Sequence, residues 1–154
     1  MPLLEPGLHP EQCYKNSPFL FWTIIAVASR RYVNDVALLD SLSEPVTSLG
    51  WKAISTRPHT RFTVEALVIQ ITWPFPVSTP ATDNSYIYSG IALQAAIQLG
   101  LHRPEDLQDF SRTKVRLTDK EIQNRVKTWV CCNIAAQRHA VDIPVNAEYG
   151  ADYL

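Results

Sequence analysis

The chain has 154 residues, 46% of them apolar and 19% charged, with a net charge of −1. That balance suits one folded domain and excludes a disordered protein, and so small a net charge gives no bulk attraction to nucleic acid or an anionic membrane. Three cysteines cannot build a disulfide framework, and no apolar run approaches the roughly 20 residues that span a bilayer. Cys131 and Cys132 are adjacent on an expected helix and point in different directions, so an intracellular, reduced chain is expected. The opening MPLLEPGLHPEQ carries two acids and no Lys or Arg, which does not read as a signal peptide.

Residues 1–16 are Pro-rich and are expected to be an extended lead-in. Ser17-Pro18 then starts a helix, with Ser17 as N-cap and Pro18 at the first helical position, where its missing amide costs nothing. The helix FLFWTIIAVASRRY is apolar almost all round, a pattern that belongs inside a larger protein. Arg30 and Arg31 fall in its last turn, where positive charge suits the helix dipole or could serve an anion or interface contact. Two short helices are expected over 34–42 and 44–54, interrupted near Ser43, with Pro45 in the first turn of the second. After the turn around Pro58, Thr63 can cap a helix VEALVIQITW that ends at Trp73. Its β-branched residues make a strand the competing reading, but the spacing of Val64, Leu67, Val68 and Ile71 favours the helix. PFPVSTPAT, over 74–82, holds three prolines and reads as a loop.

The stretch that organises the pattern is 83–104, DNSYIYSGIALQAAIQLGLHRP. Ile87, Ile91, Ala95 and Leu99 recur every four residues, with Tyr88, Ala92 and Ala96 beside them, making a stripe wide enough to face a core. Asp83 and Asn84 are suited to cap its start. Gly100 is placed to take the left-handed conformation that closes a Schellman or αL cap, with Leu101 packing back and Pro104 preventing resumption.

After Pro104 the chain is polar through Lys114 with no well-defined element. Thr118-Asp119-Lys120-Glu121 reads as a capping box, opening a helix to about His139 with a stripe of Ile122, Val126, Trp129, Val130, Asn133 and Ala136. Pro144 closes the pattern. The division expected is a lead-in over 1–16, a helical domain over 17–144 and a tail over 145–154. The fold class is all-α, an irregular helical array forming part of a larger helical domain.

Catalytic and metal signatures are not found. His9, His59, His102 and His139 stand singly and suit solvent or cap contacts; no Gly-rich phosphate loop, G-x-S-x-G elbow or H-E-x-x-H helix occurs. Cys131 has Lys127 one turn before it, which could lower its pKa, but a small core residue is the simpler reading. From His102 to His139 there are eight Lys and Arg against five Asp and Glu, a balance of +3. Acids interleave with the bases, however, so a solvated surface fits better than a DNA-binding face. Neither an enzyme nor a membrane protein is supported.

Four segments in order resemble the middle homology region, the fungal-specific transcription factor domain of zinc-cluster regulators. They are NSPFLFWTIIAVASRRY, EALVIQITWPFP, SGIALQAAIQLGLHRP followed by DFSRTK, and RVKTWVCCNIAAQR. The resemblance covers about 8–144 and is strongest to the branch containing regulators of secreted proteases and leucine biosynthesis. Two features depart from the family. The six-cysteine, two-zinc cluster with which it binds DNA is absent, since this chain has three cysteines and no C-x₂-C pair. Val141-Asp142-Ile143-Pro144 stands where members often have Gly-Arg-Pro.

The resemblance implies a nuclear regulatory domain controlling RNA polymerase II transcription, expected here as a fragment or truncated product. It would act by contact with the transcription machinery or a homologous subunit, or by sensing a small carboxylate. DNA would be reached only through a separate zinc-cluster module, so no cofactor is expected in this chain and zinc only in that absent N-terminal cluster. The alternative is a stand-alone helical small-molecule-binding protein or enzyme. A carboxylate needs converging cations on an apolar pocket, Arg above all. The candidates are Arg103 and Arg138, with His102 as a further donor and Trp73 and Trp129 as walls. Helix-end roles compete: Arg103 on the terminal carbonyls, Arg138 paired with an acid such as Asp142.

Overall fold

A computed structural model describes residues 3–5, 7–35, 37–103 and 117–141. The expected polar stretch through Lys114, the Pro104 and Pro144 stops, Asp142 and the 145–154 tail lie outside the described residues. Among the described residues the fold is all-α: six helices, α1 (Pro10–Asn16), α2 (Pro18–Ser29), α3 (Leu38–Ser55), α4 (Arg61–Thr72), α5 (Ser85–Gln98) and α6 (Asp119–Val141), with a 3-10 turn at Pro80–Thr82 in the proline loop.

The centre of the array is α4, not the 83–104 stretch. Every residue from Thr63 to Ile71 is buried, and α2, α3, α5 and α6 all pack on it. A helix buried all round needs apolar character all round, which is why Val64, Val68, Ile69 and Ile71 imitate a strand. Thr60, not Thr63, is its N-cap: the Thr60 hydroxyl accepts from the Thr63 amide at 3.3 Å. At the other end Arg30, which is the C-cap of α2 and not part of its last turn, donates to the carbonyls of Trp73 and Pro74 at 3.1 and 2.6 Å. This cation thus closes another helix, satisfying carbonyls left without amide partners.

Other helix ends follow their local chemistry. Ser17 Oγ accepts from the Leu20 amide at 3.1 Å, with Pro18 behind it. Asn84 holds the N-cap position of α5 without a side-chain cap bond, while Asp83 Oδ1 accepts from the Ser85 amide at 2.9 Å. At the C-terminus of α5, Gly100 has φ +67°. The amides of Gly100 and Leu101 donate to the carbonyls of Ile97 and Ala96 at 2.9 and 3.0 Å, the paired bonds of a Schellman motif, and Leu101 is fully buried. The capping box stands as well: Glu121 accepts from the Thr118 amide at 2.9 Å, and Thr118 Oγ1 accepts from the Glu121 amide at 3.3 Å.

Four further expectations are corrected. The lead-in is not extended throughout, since Pro10–Asn16 forms α1 with Cys13 buried. The two short helices are one, α3, with Pro45 inside it. Pro45 forfeits one helical bond, and Val46 and Gly50 just beyond it are buried, so packing holds the helix through. On α5 the buried face is Ser85, Tyr88, Ala92, Ala95 and Ala96, whereas Ile87 is 54% exposed and Ile91 and Leu99 half-buried. Small residues there let α5 lie close to α4. On α6 the buried residues are Asn124, Thr128, Cys131, Cys132 and Ala135. Val126 and Val130 of the expected stripe are exposed, because α6 turns its small and polar side to the core.

Candidate functional site

The reason α6 faces inward with Asn124 and Thr128 is a buried carboxylate on α4. Glu65 is 2% exposed. Its Oε1 accepts from the Thr128 hydroxyl at 3.0 Å and from Arg61, one turn earlier on α4. Arg61 also donates to Glu5 at 3.1 Å, and Glu5 accepts from Asn124 and lies 3.4 Å from Lys120 Nζ. Two carboxylates thus share one guanidinium at the junction of the N-terminal segment, α4 and α6. Burial pushes the Glu65 carboxyl up to about 7, against the opposing pull of Arg61 and the hydrogen bond from Thr128. Unpaired, such a group would be costly; here Oε1 has two donors, Thr128 and Arg61. The local signal was a single acid in VEALVIQITW with Arg61 four residues before it, a helical ion-pair spacing.

The residues selected from sequence fall in different places. His102 and Trp129 come together, with ring centroids 5.8 Å apart at an interplanar angle of 52°. They join the turn after α5 to the middle of α6. Arg103 follows His102, is exposed, and donates its amide to the Gly100 carbonyl at 3.1 Å. Arg138 is exposed nine residues beyond Trp129, about 13 Å further along α6 at 1.5 Å per residue. Trp73, at the end of α4, lines an apolar cavity of about 280 Å³ with Leu3, Leu4, Ile24, Val27 and Ile69. Arg125, four residues before Trp129 on α6, donates to the Leu99 carbonyl at the end of α5.

A wider groove of about 430 Å³ lies between the α3–α4 turn and α5, lined by Arg57, His59, Gly90, Gln94 and Gln98 among others. Arg57 donates to Gln98 Oε1 at 2.6 Å, and the buried His59 donates through Nε2 to the Ile54 carbonyl at 2.8 Å. The histidine therefore serves the end of α3. Cys13, Cys131 and Cys132 are free and buried. Burial raises all three thiols, Cys132 to about 12, so Lys127 does not activate Cys131. Among the described residues no group of three or more His, Cys, Asp or Glu is placed to hold a metal ion, and no helix is long and apolar enough to cross a membrane.

No family model matches the chain, and no solved structure does. Among curated proteins, SEF1 of Kluyveromyces lactis is 32% identical over 144 residues, 93% of this chain and 13% of its own length. The regulatory protein LEU3 of Saccharomyces cerevisiae is 26% identical over 170 residues, 100% of this chain and 19% of its own. The transcriptional regulatory protein SEF1 of Candida albicans is 32% identical over 126 residues, 77% of this chain and 13% of its own. The chain therefore spans less than a fifth of the length of these relatives. With an all-α fold and matches of this extent, the chain is homologous to one region of these yeast transcription regulators, and its architecture is consistent with the fungal transcription factor domain.

Proposed function

We propose that this chain is the regulatory region of a fungal transcription factor and works in the nucleus on RNA polymerase II transcription. It carries out no reaction of its own. It acts by contact with the transcription machinery or a homologous subunit, and DNA is reached through a separate zinc-cluster module that holds the zinc. The observation that carries the reading is homology across 93% of the chain to SEF1 and across all of it to LEU3. The test is a fusion of the chain to a heterologous DNA-binding domain upstream of a reporter in yeast, beside a fusion carrying Leu67→Asp, which disrupts the buried centre of α4. A change in reporter output that the folded fusion produces and the variant loses supports the reading. Output equal to that of the DNA-binding domain alone overturns it.

A small carboxylate is the proposed effector. The contact between His102 and Trp129, with Arg103 next in the chain, supports the turn after α5 as its place. Trp73 and Arg138 would belong to the site only if the ligand reached beyond that turn.

A further inference from the structure

Helix α6 carries an apolar line on the side away from the core. Val126, Val130 and Ile134 are 40%, 46% and 50% exposed, and their four-residue spacing stacks them along one ridge. Lys120, Lys127 and Arg138 are separated by seven and eleven residues, close to two and three whole turns. At about 100° per residue all three fall on one edge, roughly 60–80° round from Val130. The opposite edge carries Ile122 and Asn133, both uncharged, while Gln123 and Gln137 lie along the ridge itself. Carboxylates on α6 are confined to the first turn, at Asp119 and Glu121. Lys127 and Arg138 are exposed and form no ion pair among the described residues.

A second copy of α6 is a poor occupant. Antiparallel pairing about Val130 would set Lys120 of one copy beside Arg138 of the other, and parallel pairing would give the cations no acid. An apolar ridge with one basic edge is instead complementary to an amphipathic helix with apolar residues at i, i+4 and i+8 and carboxylates along one edge. We infer that the outer face of α6 is a docking surface for an acidic amphipathic helix of a separate protein. The ridge supplies the contact area, and Lys127 and Arg138 set its orientation.

The test uses the 154-residue chain and three fluorescein-labelled helical peptides: Leu at i, i+4 and i+8 with Glu along one edge, the same with Lys for Glu, and a scramble of the first. The acidic peptide should bind, weaken with salt, and lose at least tenfold in affinity against Val130→Glu and against Lys127→Glu, while the other two peptides bind at least tenfold more weakly. Because these side chains are exposed, thermal melts of both variants should match the parent. Equal binding of the Lys peptide, or an acidic-peptide affinity unchanged by Val130→Glu, overturns the inference. So does a concentration-dependent dimer that Val130→Glu abolishes, which would make a second copy the occupant. Slow maleimide labelling of Val130→Cys in the free chain would also overturn it, by showing the ridge covered by this chain's own segments. The binding readout does not involve transcription, so failure of the reporter test leaves it standing.

Discussion

The hydroxyl oxygen of Tyr88 lies 3.0 Å from the point where a Cβ on Gly50 would stand, and the Phe19 ring approaches the same point to 3.1 Å. A helix-interior glycine normally costs about 1 kcal/mol relative to alanine. Here its missing side chain is what lets α2, α3 and α5 meet. Gly50→Ala should therefore fail to gain the usual propensity benefit and instead destabilise the fold by about 1 kcal/mol, since both neighbours are buried and overpacking typically costs about 1–3 kcal/mol. The Tyr88 hydroxyl is itself buried without a hydrogen-bond partner among the described residues. Tyr88→Phe should thus be neutral or stabilising by up to about 1 kcal/mol, and should recover part of the Gly50→Ala loss. Urea midpoints of the two single variants and the double variant check this, and a Gly50→Ala variant more stable than the parent would refute it.

Gly100 makes a second demand on the backbone. At φ +67° it closes the Schellman motif that buries Leu101, and a β-branched residue adopts that conformation poorly. Gly100→Val should lower stability by roughly 1 kcal/mol or more, while Gly90→Ala, where an added Cβ meets nothing within 4 Å, should raise it by up to about 1 kcal/mol through helix propensity. Equal urea midpoints for parent and Gly100→Val would show that the cap is not needed.

For Glu65, the pH dependence has a definite sign. Its carboxyl is raised from 4.5 to about 7 in the fold, so between those values the folded chain holds a proton that the unfolded chain releases. Stability from this group accordingly increases as pH falls from about 7 towards 4.5 and is flat above about 7. Glu65→Gln removes the titration. Measured as chemical denaturation at pH 8, 7, 6 and 5, the parent should gain stability relative to Glu65→Gln as pH is lowered. A difference that stays constant, or grows towards pH 8, would refute the assignment.

On its own, the chain should bind DNA weakly and without sequence preference. The interleaving of Glu105, Asp106, Asp109, Asp119 and Glu121 with the bases leaves little net phosphate neutralisation. Anisotropy titrations of a promoter fragment and a scrambled duplex at physiological salt should superimpose; tight binding to one of them would contradict the proposed separation of regulatory and DNA-contacting modules.

What could be read in the sequence was local. Ser17-Pro18, the Thr118–Glu121 box and the Gly100 terminator each work through groups within a few residues of one another, and each stands in the fold as expected. Which face a helix buries is decided by its partner, and there the apolar pattern misled. Val126 and Val130 are the obvious core residues of α6, yet Thr128 and Asn124 are buried, because Glu65 and Glu5 need donors. In α5 the expected stripe held Tyr88 and three alanines, which do face inward, but also Ile87, which is exposed, and Ile91, which is half-buried. Of the residues selected as a site, His102 and Trp129 meet across the join of α5 and α6. Trp73 belongs to a cavity under Leu3 and Leu4, a pairing that no spacing rule could have supplied.

The sharing of Arg61 between Glu65 and Glu5 reaches beyond stability. Glu5 sits upstream of every helix, yet its carboxylate is held by side chains from α4 and α6, and Leu3 beside it is 3% exposed. Traction on the polypeptide ahead of residue 3 would be borne first by this knot rather than by α1. The load would pass simultaneously into the central helix and into the one carrying the exposed valine ridge. Protonating Glu65 alters the same knot, so the stiffness of that coupling should itself vary with pH.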